Sequence, residues 1–254
     1  MRPPLQPIVW TRRASRRVRN LVYPPACLLC RRSLDTDQAL FCEACQDAMS
    51  PPQPPLCQRC GLGVRGAYDA LATCPSCRRR PPAFDRACAP FAYASRVREA
   101  IHAFKYHGHH RIGRWLADAM AATAERSLPL ERLDAVVAVP MHPLKQRLKG
   151  TNPAEELARG LAETLRLPHH PSLLRRRRWT TTQTRLKPSQ RFRNVRDAFA
   201  PGRATRADGA VLLVDDVLTS GATAHACALA LRAAGARAVF VLTAARAPQP
   251  PVGR

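Results

Sequence analysis

The chain has 254 residues and a formal net charge of +23, because 41 Lys and Arg residues outnumber 18 Asp and Glu residues. Its apolar runs stay well below the ~20 residues that a membrane-spanning helix needs, so we expect no transmembrane segment. The length suits one large domain or a medium domain with a small appendage, and the positive charge favours polyanionic partners such as nucleic acid. A solvated surface rich in arginine would give the same composition, so charge alone does not establish a function.

Residues 1–26 form a basic stretch that we predict as a lead-in helix, with Trp10, Val18 and Leu21 along an apolar edge. Three prolines interrupt its first seven residues. No apolar core of about seven residues precedes Cys27, so we do not expect a secretory signal peptide.

Eight of the ten cysteines form four Cys-x-x-Cys pairs: Cys27/Cys30, Cys42/Cys45, Cys57/Cys60 and Cys74/Cys77. The pairs are separated by 11, 11 and 13 residues, which is typical of two Cys₄ zinc ribbons. A thioredoxin-like redox site would have one such pair at a helix start, and a disulfide module would need secretion. We predict two Zn²⁺ sites, which lower the net charge to about +19. Consecutive pairing is favoured because each short loop then closes its own site, but the spacing does not settle it.

The predicted domains are the lead-in over residues 1–26, a double zinc ribbon over 27–80, an α/β domain over 81–247 and a disordered tail over 248–254. Strands and helices alternate in the third of these. The predicted strands are 89–94, 135–139, 211–214 and 238–243, and the predicted helices are 97–106, 112–123, 154–165 and 222–234. This alternation indicates an α/β fold with a mainly parallel sheet covered on both faces. Ligands of such sheets bind at the carboxyl ends of the strands.

An acidic pair, Asp215 and Asp216, follows the apolar strand over residues 211–214. A turn rich in hydroxyl groups and glycine then opens a helix; it consists of Thr219, Ser220, Gly221, Ala222 and Thr223. Free N–H groups at a helix start favour an anion, while carboxylates accept from sugar hydroxyls or hold Mg²⁺. The motif therefore predicts a sugar-phosphate site. A P-loop nucleotidase is excluded because the chain has no Gly-Lys pair, and a dinucleotide fold because no G-x-G-x-x-G follows a strand.

A second strand end, at residues 136–139, leads to Pro140 and then to a basic set that includes Lys149. If the two strands are parallel neighbours, these residues approach the same ligand. A solvated basic turn is the alternative.

Residues 175–196 form a long basic segment without helical or strand periodicity, in which Trp179 and Phe192 lie among cations. Interleaved cations and aromatic rings suit single-stranded nucleic acid, because bases stack and phosphates pair. They suit a mobile cover over an active site equally. We favour a cover first and a nucleic-acid contact second.

Residues 211–223 resemble the phosphoribosyl pyrophosphate (PRPP) motif of type I phosphoribosyltransferases, and nearly the full chain resembles the ComF family of competence proteins. The resemblance is carried by the cysteine pairs, Lys105, residues 139–140, 147–152, 182–183, 191–195 and 198–199, and the acidic motif. It departs from the family pattern at Pro153, where a glutamine is usual.

The resemblance implies a type I phosphoribosyltransferase-like domain with PRPP and Mg²⁺ as ligands. Catalytic roles would fall to Asp215, Asp216 and Lys105. PRPP contacts would include Asp215, Asp216, Thr219, Ser220, Gly221, Ala222, Thr223, Pro140, Lys149, Gly150 and Asn152. A loop beside the site, also able to contact nucleic acid, would contain Arg178, Trp179, Gln183, Arg191 and Asn194.

Two functional hypotheses follow from the resemblance. The first is a cytoplasmic protein of natural transformation that handles single-stranded DNA, works with the DNA-uptake machinery and keeps a PRPP-type site. The second is an active phosphoribosyltransferase that uses PRPP and Mg²⁺ on an unknown acceptor.

Overall fold

The computed structural model describes residues 24–64, 73–179, 188–202 and 207–248. It divides into two compact units, Met1–Ala48 and Met49–Arg254. The first unit holds the first two cysteine pairs, and the second holds the other two pairs together with the α/β sheet. Most of the predicted lead-in and of the predicted tail lies outside the described residues. The domain boundaries predicted from the sequence stay predictions.

The first unit is a small ribbon in which helix α1, Glu43–Asp47, follows directly on Cys42. Its first cysteine turn is closed by the Cys27 N–H, which donates to the Arg32 carbonyl at 2.8 Å. Arg31 adopts a left-handed backbone, with φ at 64°, to complete that turn.

The second unit begins with an equivalent ribbon, in which Cys57 N–H donates to Leu62 O at 2.7 Å and helix α2 spans Pro75–Arg79. Gly61 supplies the left-handed turn, with φ at 63°. This ribbon packs directly on the sheet: a Cβ at Gly61 would lie 2.9 Å from the Ala87 carbonyl oxygen. Only glycine allows that approach, so the second ribbon and the α/β domain form one packed body.

The strands of the second unit are β1 Arg86–Cys88, β2 Phe91–Ala92, β3 Leu133–Ala138, β4 Leu174–Arg176, β5 Phe199–Pro201, β6 Ala210–Leu218 and β7 Ala238–Arg246. The main sheet has the order β1-β7-β6-β3, with β2 also pairing with β7, and all of these pairs are parallel. The single strand predicted over residues 89–94 is wrong: β1 and β2 flank Pro90, which has no N–H to donate to a ladder.

The remaining helices are α3 Ser95–His107, α4 His110–Ser127, α5 Pro143–Lys149, α6 Pro153–Leu165, α7 Pro188–Val195 and α8 Ala222–Ala233. Helices α4 and α6 pack on each other and on the sheet, whereas α8 packs against β5, β6 and β7. The β6–α8–β7 connection crosses the sheet in the opposite direction to the β2–α4–β3 connection. Because such crossovers are right-handed, α8 covers the opposite face.

These features confirm the predicted fold class, an α/β domain with a parallel sheet preceded by a small module of paired cysteines. Strands β6 and β7 are central and nearly wholly buried, as their apolar runs predict. Within the described part of the chain, no helix is long and apolar enough to cross a membrane.

The prediction that residues 175–196 lack periodic structure is wrong at both ends of the segment. Strand β4 pairs antiparallel with β5, and α7 forms after Pro188. Proline at the first helical position has its φ already set and loses no hydrogen bond there, which explains both α7 and α5. The basic residues after Pro140 thus lie on a helix, capped by the His142 ring, which accepts from the Leu144 N–H at 3.3 Å.

Candidate functional site

The acidic pair lies at the carboxyl end of β6, beside the end of β3. Strand β6 continues further than predicted, because Asp215 still pairs with Thr243 of β7. On the other side, the Val139 N–H donates to the Val214 carbonyl at 2.8 Å. The predicted parallel neighbours are therefore confirmed, and Pro140 follows the point where β3 meets the acidic pair.

Lys105 of α3 forms an ion pair with Asp216, with 2.5 Å between Nζ and Oδ2. The two side chains are only 23% and 19% exposed. Burial lowers the pKa of the Lys105 ammonium, but the Asp216 carboxylate outweighs burial and leaves that pKa above its usual value. The structure thus brings together the three residues to which the resemblance assigns catalytic roles.

The environment of Asp215 differs from that of Asp216, because successive residues of a strand face opposite sides of the sheet. Burial, followed by the charge of Asp216, raises the pKa of Asp215 to about 7. The Asp216 N–H, which donates to Asp215 Oδ1 at 2.9 Å, and the cations Lys105 and Arg176 oppose the rise in pKa. A carboxyl group with a pKa near neutrality can accept hydrogen bonds and, when protonated, donate one, which suits sugar hydroxyls.

The turn from Thr219 to Gly221 carries the chain from β6 into α8. Gly221 has φ at 78°, and a Cβ there would meet only the Phe84 ring, at 3.9 Å. Glycine is therefore required here by the left-handed backbone conformation, since there is room for a larger side chain. Ser220 Oγ accepts from the Ala222 N–H at 3.4 Å. The positive end of the α8 dipole and a hydroxyl-bearing turn thus lie just beyond the acidic pair.

Asn152, predicted as a ligand contact, is a buried cap of α6. Its Oδ1 accepts from the Ala154 N–H at 3.3 Å, and its Nδ2 donates to the Val139 carbonyl at 3.1 Å. Asn152 therefore holds the end of β3 to the start of α6. Gly150, at the end of α5, is exposed with φ at 79°. The side chain of Lys149 lies outside what the structure describes.

The first part of the predicted loop reaches the β3 side of the site. The Trp179 ring makes an edge contact with His142, with 5.3 Å between ring centroids. Arg178 donates to the Asn194 and Arg196 carbonyls at 3.0 and 2.7 Å, which ties the beginning of the segment to the end of α7.

The second part of that loop lies beside the start of α8. Arg191 and Asn194 belong to α7, whose Phe192 ring contacts His225 of α8 at 5.9 Å between centroids. The basic segment therefore begins beside β3 and ends beside the start of α8. Gln183, also predicted for this loop, lies outside the described residues.

The eight paired cysteines form two groups, in each of which all sulfur atoms lie within 4.8 Å of one another. One group is Cys27, Cys30, Cys42 and Cys45, and the other is Cys57, Cys60, Cys74 and Cys77. Tetrahedral Zn²⁺ with Zn–S bonds of ~2.3 Å holds its sulfurs about 3.8 Å apart. The Cys30–Cys42 and Cys60–Cys74 sulfurs lie 3.5 and 3.7 Å apart, so both groups fit zinc. Consecutive pairing is confirmed.

Arg246, the last residue of β7, is a site residue that sequence reasoning missed. It is 4% exposed. Its guanidinium donates to the Leu218 and Thr219 carbonyls, where β6 leads into the Thr219–Gly221 turn, and to the Cys60 carbonyl of the second ribbon. An arginine at the end of a buried and mostly apolar strand was the available signal. Its partners, up to 186 residues distant along the chain, were not visible in the sequence.

A family model described as "Double zinc ribbon domain" matches residues 18–78. Over most of the chain, Competence protein F of Haemophilus influenzae is 29% identical across 226 residues, covering 87% of this chain and 96% of that protein. The DNA utilization protein YhgH of Salmonella typhimurium is 30% identical across 227 residues with the same coverage.

Two solved structures align with part of this chain. The allosteric regulatory enzyme of purine biosynthesis aligns with a TM-score of 0.36 and 25% identity, over 56% of this chain and 27% of that one. The protein TT1426 from Thermus thermophilus aligns with a TM-score of 0.32 and 17% identity, over 56% of this chain and 86% of that one.

Proposed function

Because the chain belongs to the family of competence protein F and the DNA utilization protein YhgH, we propose that it serves the uptake and use of DNA. In this proposal it handles single-stranded DNA in the cytoplasm and binds a ribose phosphate of the PRPP type at the end of β6. The observation that carries the ligand site is the Lys105–Asp216 ion pair beside the turn from Thr219 to Gly221, which is the proposed phosphate turn. The DNA-uptake machinery is the proposed setting.

The ribose-phosphate part of the proposal follows from the division of charge at the strand end. Two ionised carboxylates beside a phosphate would repel it, but Lys105 neutralises Asp216, and the raised pKa of Asp215 removes part of its charge. Both groups are then suited to ribose hydroxyls, while Thr219, Ser220 and the start of α8 are suited to the 5′-phosphate.

Mg²⁺ is proposed only as a companion of a bound pyrophosphate. Mg²⁺ is usually held by one or two carboxylates together with substrate phosphates and water, and it would supply charge neutralisation there. Asp215 would donate the protein oxygen, because Lys105 already engages Asp216. Pro140, in the turn between β3 and α5, and Gly150, which follows the last residue of α5, are the proposed neighbours of the pyrophosphate.

Isothermal titration calorimetry with PRPP tests this site directly. We expect Asp216→Asn to weaken binding about tenfold or more, since it removes one of the two carboxylates and leaves the Lys105 charge without a partner. Asp118→Asn, an exposed carboxylate on α4, is the matched control and should bind as the wild type does. Equal affinity of wild type and Asp216→Asn would refute the site.

The DNA part of the proposal rests on the basic segment that borders the site. Trp179 is 49% exposed, next to Arg178 and His142. An exposed indole among cations offers a stacking surface for a base, worth about 1–3 kcal/mol per base. Together with the positive net charge, this favours single-stranded DNA with little sequence preference.

Fluorescence anisotropy with a labelled oligothymidylate tests the DNA contact. We expect a steep fall in affinity with salt and a further loss of about fivefold to one-hundredfold in Trp179→Ala, from the stacking energy above. Leu229, 53% exposed on α8, gives the control Leu229→Ala. Equal losses in both variants would show that Trp179 has no specific contact with DNA.

A second candidate function is glycosyl transfer from PRPP to an unknown acceptor. The pKa of about 7 for Asp215 favours it, because a carboxylate near that pKa is matched to general-base work at neutral pH. Release of pyrophosphate from PRPP, abolished in Asp215→Asn while PRPP still binds, would support turnover. If PRPP binds but no tested nucleophile leads to release of pyrophosphate, the site has a binding role and no transferase activity.

A further inference from the structure

Arg246 joins the second cysteine cluster to the phosphate turn through a single buried guanidinium. Its Nε donates to the Cys60 carbonyl at 2.8 Å, while Nη1 donates to the Leu218 carbonyl at 2.9 Å and to the Thr219 carbonyl at 2.7 Å. Its Nη2 lies 3.5 Å from Cys60 Sγ. One planar group therefore contacts both a zinc ligand and the first residue of the turn.

The charge of Arg246 requires such partners. A buried cation is stable only when it is paired and its N–H groups are satisfied. In the part of the chain that the structure describes, no carboxylate forms an ion pair with Arg246. The thiolates of a zinc-bound Cys₄ site carry a net negative charge, which suits the adjacent guanidinium. The rigid fork of an arginine also fixes the positions of the acceptors that it bridges.

The second ribbon is held on the sheet close to this contact. The Ala87 N–H of β1 donates to the Arg59 carbonyl at 2.8 Å, one residue before Cys60. Arg246 itself pairs in register with Leu218 across the sheet. A shift of the Cys60 turn is therefore transmitted to the Leu218–Thr219 backbone through a short and rigid connection.

We propose that zinc at Cys57, Cys60, Cys74 and Cys77 sets the conformation of the phosphate turn through Arg246. A single zinc ion would bind all four cysteine side chains, which fixes the position of the Cys60 turn. Arg246, which bonds to Cys60, Leu218 and Thr219, then fixes the Leu218–Thr219 backbone relative to that turn. Arg246 is thus a positioning residue, and the second zinc site is a structural support of the ligand site. The coupling itself is independent of the ligand, whereas its effect on ribose-phosphate affinity rests on the function proposed above.

Hydrogen–deuterium exchange on the full-length, zinc-loaded protein, without any ligand, measures the coupling. Cys77→Ser removes a ligand of the second site without touching the Arg246 contacts, and Cys30→Ser is the matched change in the first site. We expect about tenfold faster exchange over residues 218–223 in Cys77→Ser but not in Cys30→Ser, with the amides of β3 unchanged in both. Unchanged exchange of residues 218–223 in Cys77→Ser would overturn the proposal.

Substitution of the arginine tests its part in the coupling. Arg246→Lys keeps the charge but not the fork, so we expect fast exchange over residues 218–223 while the protein still binds two zinc ions. Arg232 likewise bridges two carbonyls, those of Ala83 and Arg237, at 2.9 and 3.1 Å, and Arg232→Lys should exchange as the wild type does. Slow, wild-type exchange in Arg246→Lys would show that the guanidinium does not position the turn.

Calorimetry with PRPP on the same variants separates this inference from the proposed function. Affinity should fall in Cys77→Ser and Arg246→Lys and persist in Cys30→Ser and Arg232→Lys. If the wild type does not bind PRPP, the proposed ligand is wrong, yet the exchange results still decide the coupling. If all variants bind PRPP with the same affinity, the proposed ligand site is supported, and the predicted effect of the coupling on PRPP affinity is refuted.

Discussion

Asp215→Asn should make the protein more stable, and the gain should grow with pH. Burial and the charge of Asp216 raise the pKa of Asp215 from 3.8 to about 7 in the folded protein. Between these values the native state holds a proton that the unfolded chain has released, so the stability that Asp215 contributes falls as pH rises through this window. An asparagine has no charge to bury, and its Oδ1 still accepts from the Asp216 N–H.

The size of the effect follows from 1.36 kcal/mol per pKa unit. With these two pKa values, Asp215 lowers the stability of the folded state by about 3 kcal/mol at pH 6, where it mostly keeps its proton, and by about 4 kcal/mol at pH 8, where it is mostly ionised. For a unit of about two hundred residues, the variant should melt on the order of 10 °C higher at pH 8. Carboxylates with such a cost are typical of functional sites, where stability is lost in favour of ligand binding.

Urea unfolding of zinc-loaded protein at pH 6, 7 and 8, with m-values compared, measures this difference. Asp118→Asn, on an exposed turn of α4, controls for the loss of one negative charge from a basic protein. The Asp215→Asn gain should increase by about 1 kcal/mol from pH 6 to pH 8. The assignment of a raised pKa would be refuted if the gain in unfolding free energy did not depend on pH. It would also be refuted if the variant were less stable than the wild type at both pH 6 and pH 8.

Three further predictions concern the supports of the site. Gly221→Ala forces a left-handed backbone on an L-residue and should cost about 1 kcal/mol in urea unfolding; PRPP affinity equal to that of the wild type would show that the turn does not hold the phosphate. Asn152→Ala should cost about 2 kcal/mol, because both the helix cap and the bond to Val139 are lost, whereas Asn152→Ser keeps a capping oxygen and should lose about half as much. Elemental analysis should find two zinc ions per chain and one in Cys45→Ser; a value near one for the wild type would contradict the second site.

Local sequence patterns predicted the structure of several single segments well. The β6 motif ends in an acidic pair and leads through Gly221 into a helix, as the apolar run and turn residues indicate. The four cysteine pairs close consecutively because each short loop brings its own sulfurs together. The resemblance matched Lys105 to a family position, but its partner, Asp216, became visible only when α3 was seen against the sheet.

The errors arose where neighbours override local signals. Residues 175–196 have no periodicity of their own, yet β4 forms because β5 supplies its hydrogen-bond partner, and α7 forms against α8. Residues 89–94 read as one strand, but Pro90 interrupts the ladder. The structural role of Asn152, whose side chain caps α6 and holds Val139, was also not visible in its motif, and its predicted ligand contact stays a prediction.

The sequence by itself determined which residues carry charge, which cysteines form the two metal-binding clusters and which residues form the turn after β6, because these depend on spacings of a few residues. Only the tertiary structure decided how those parts act on one another. It set Asp215 and Asp216 on different faces, which separates their environments, and it placed the second zinc ribbon against the phosphate turn through Arg246. Such contacts join residues far apart along the chain, and their geometry is decided by packing of the whole unit and not by any local pattern.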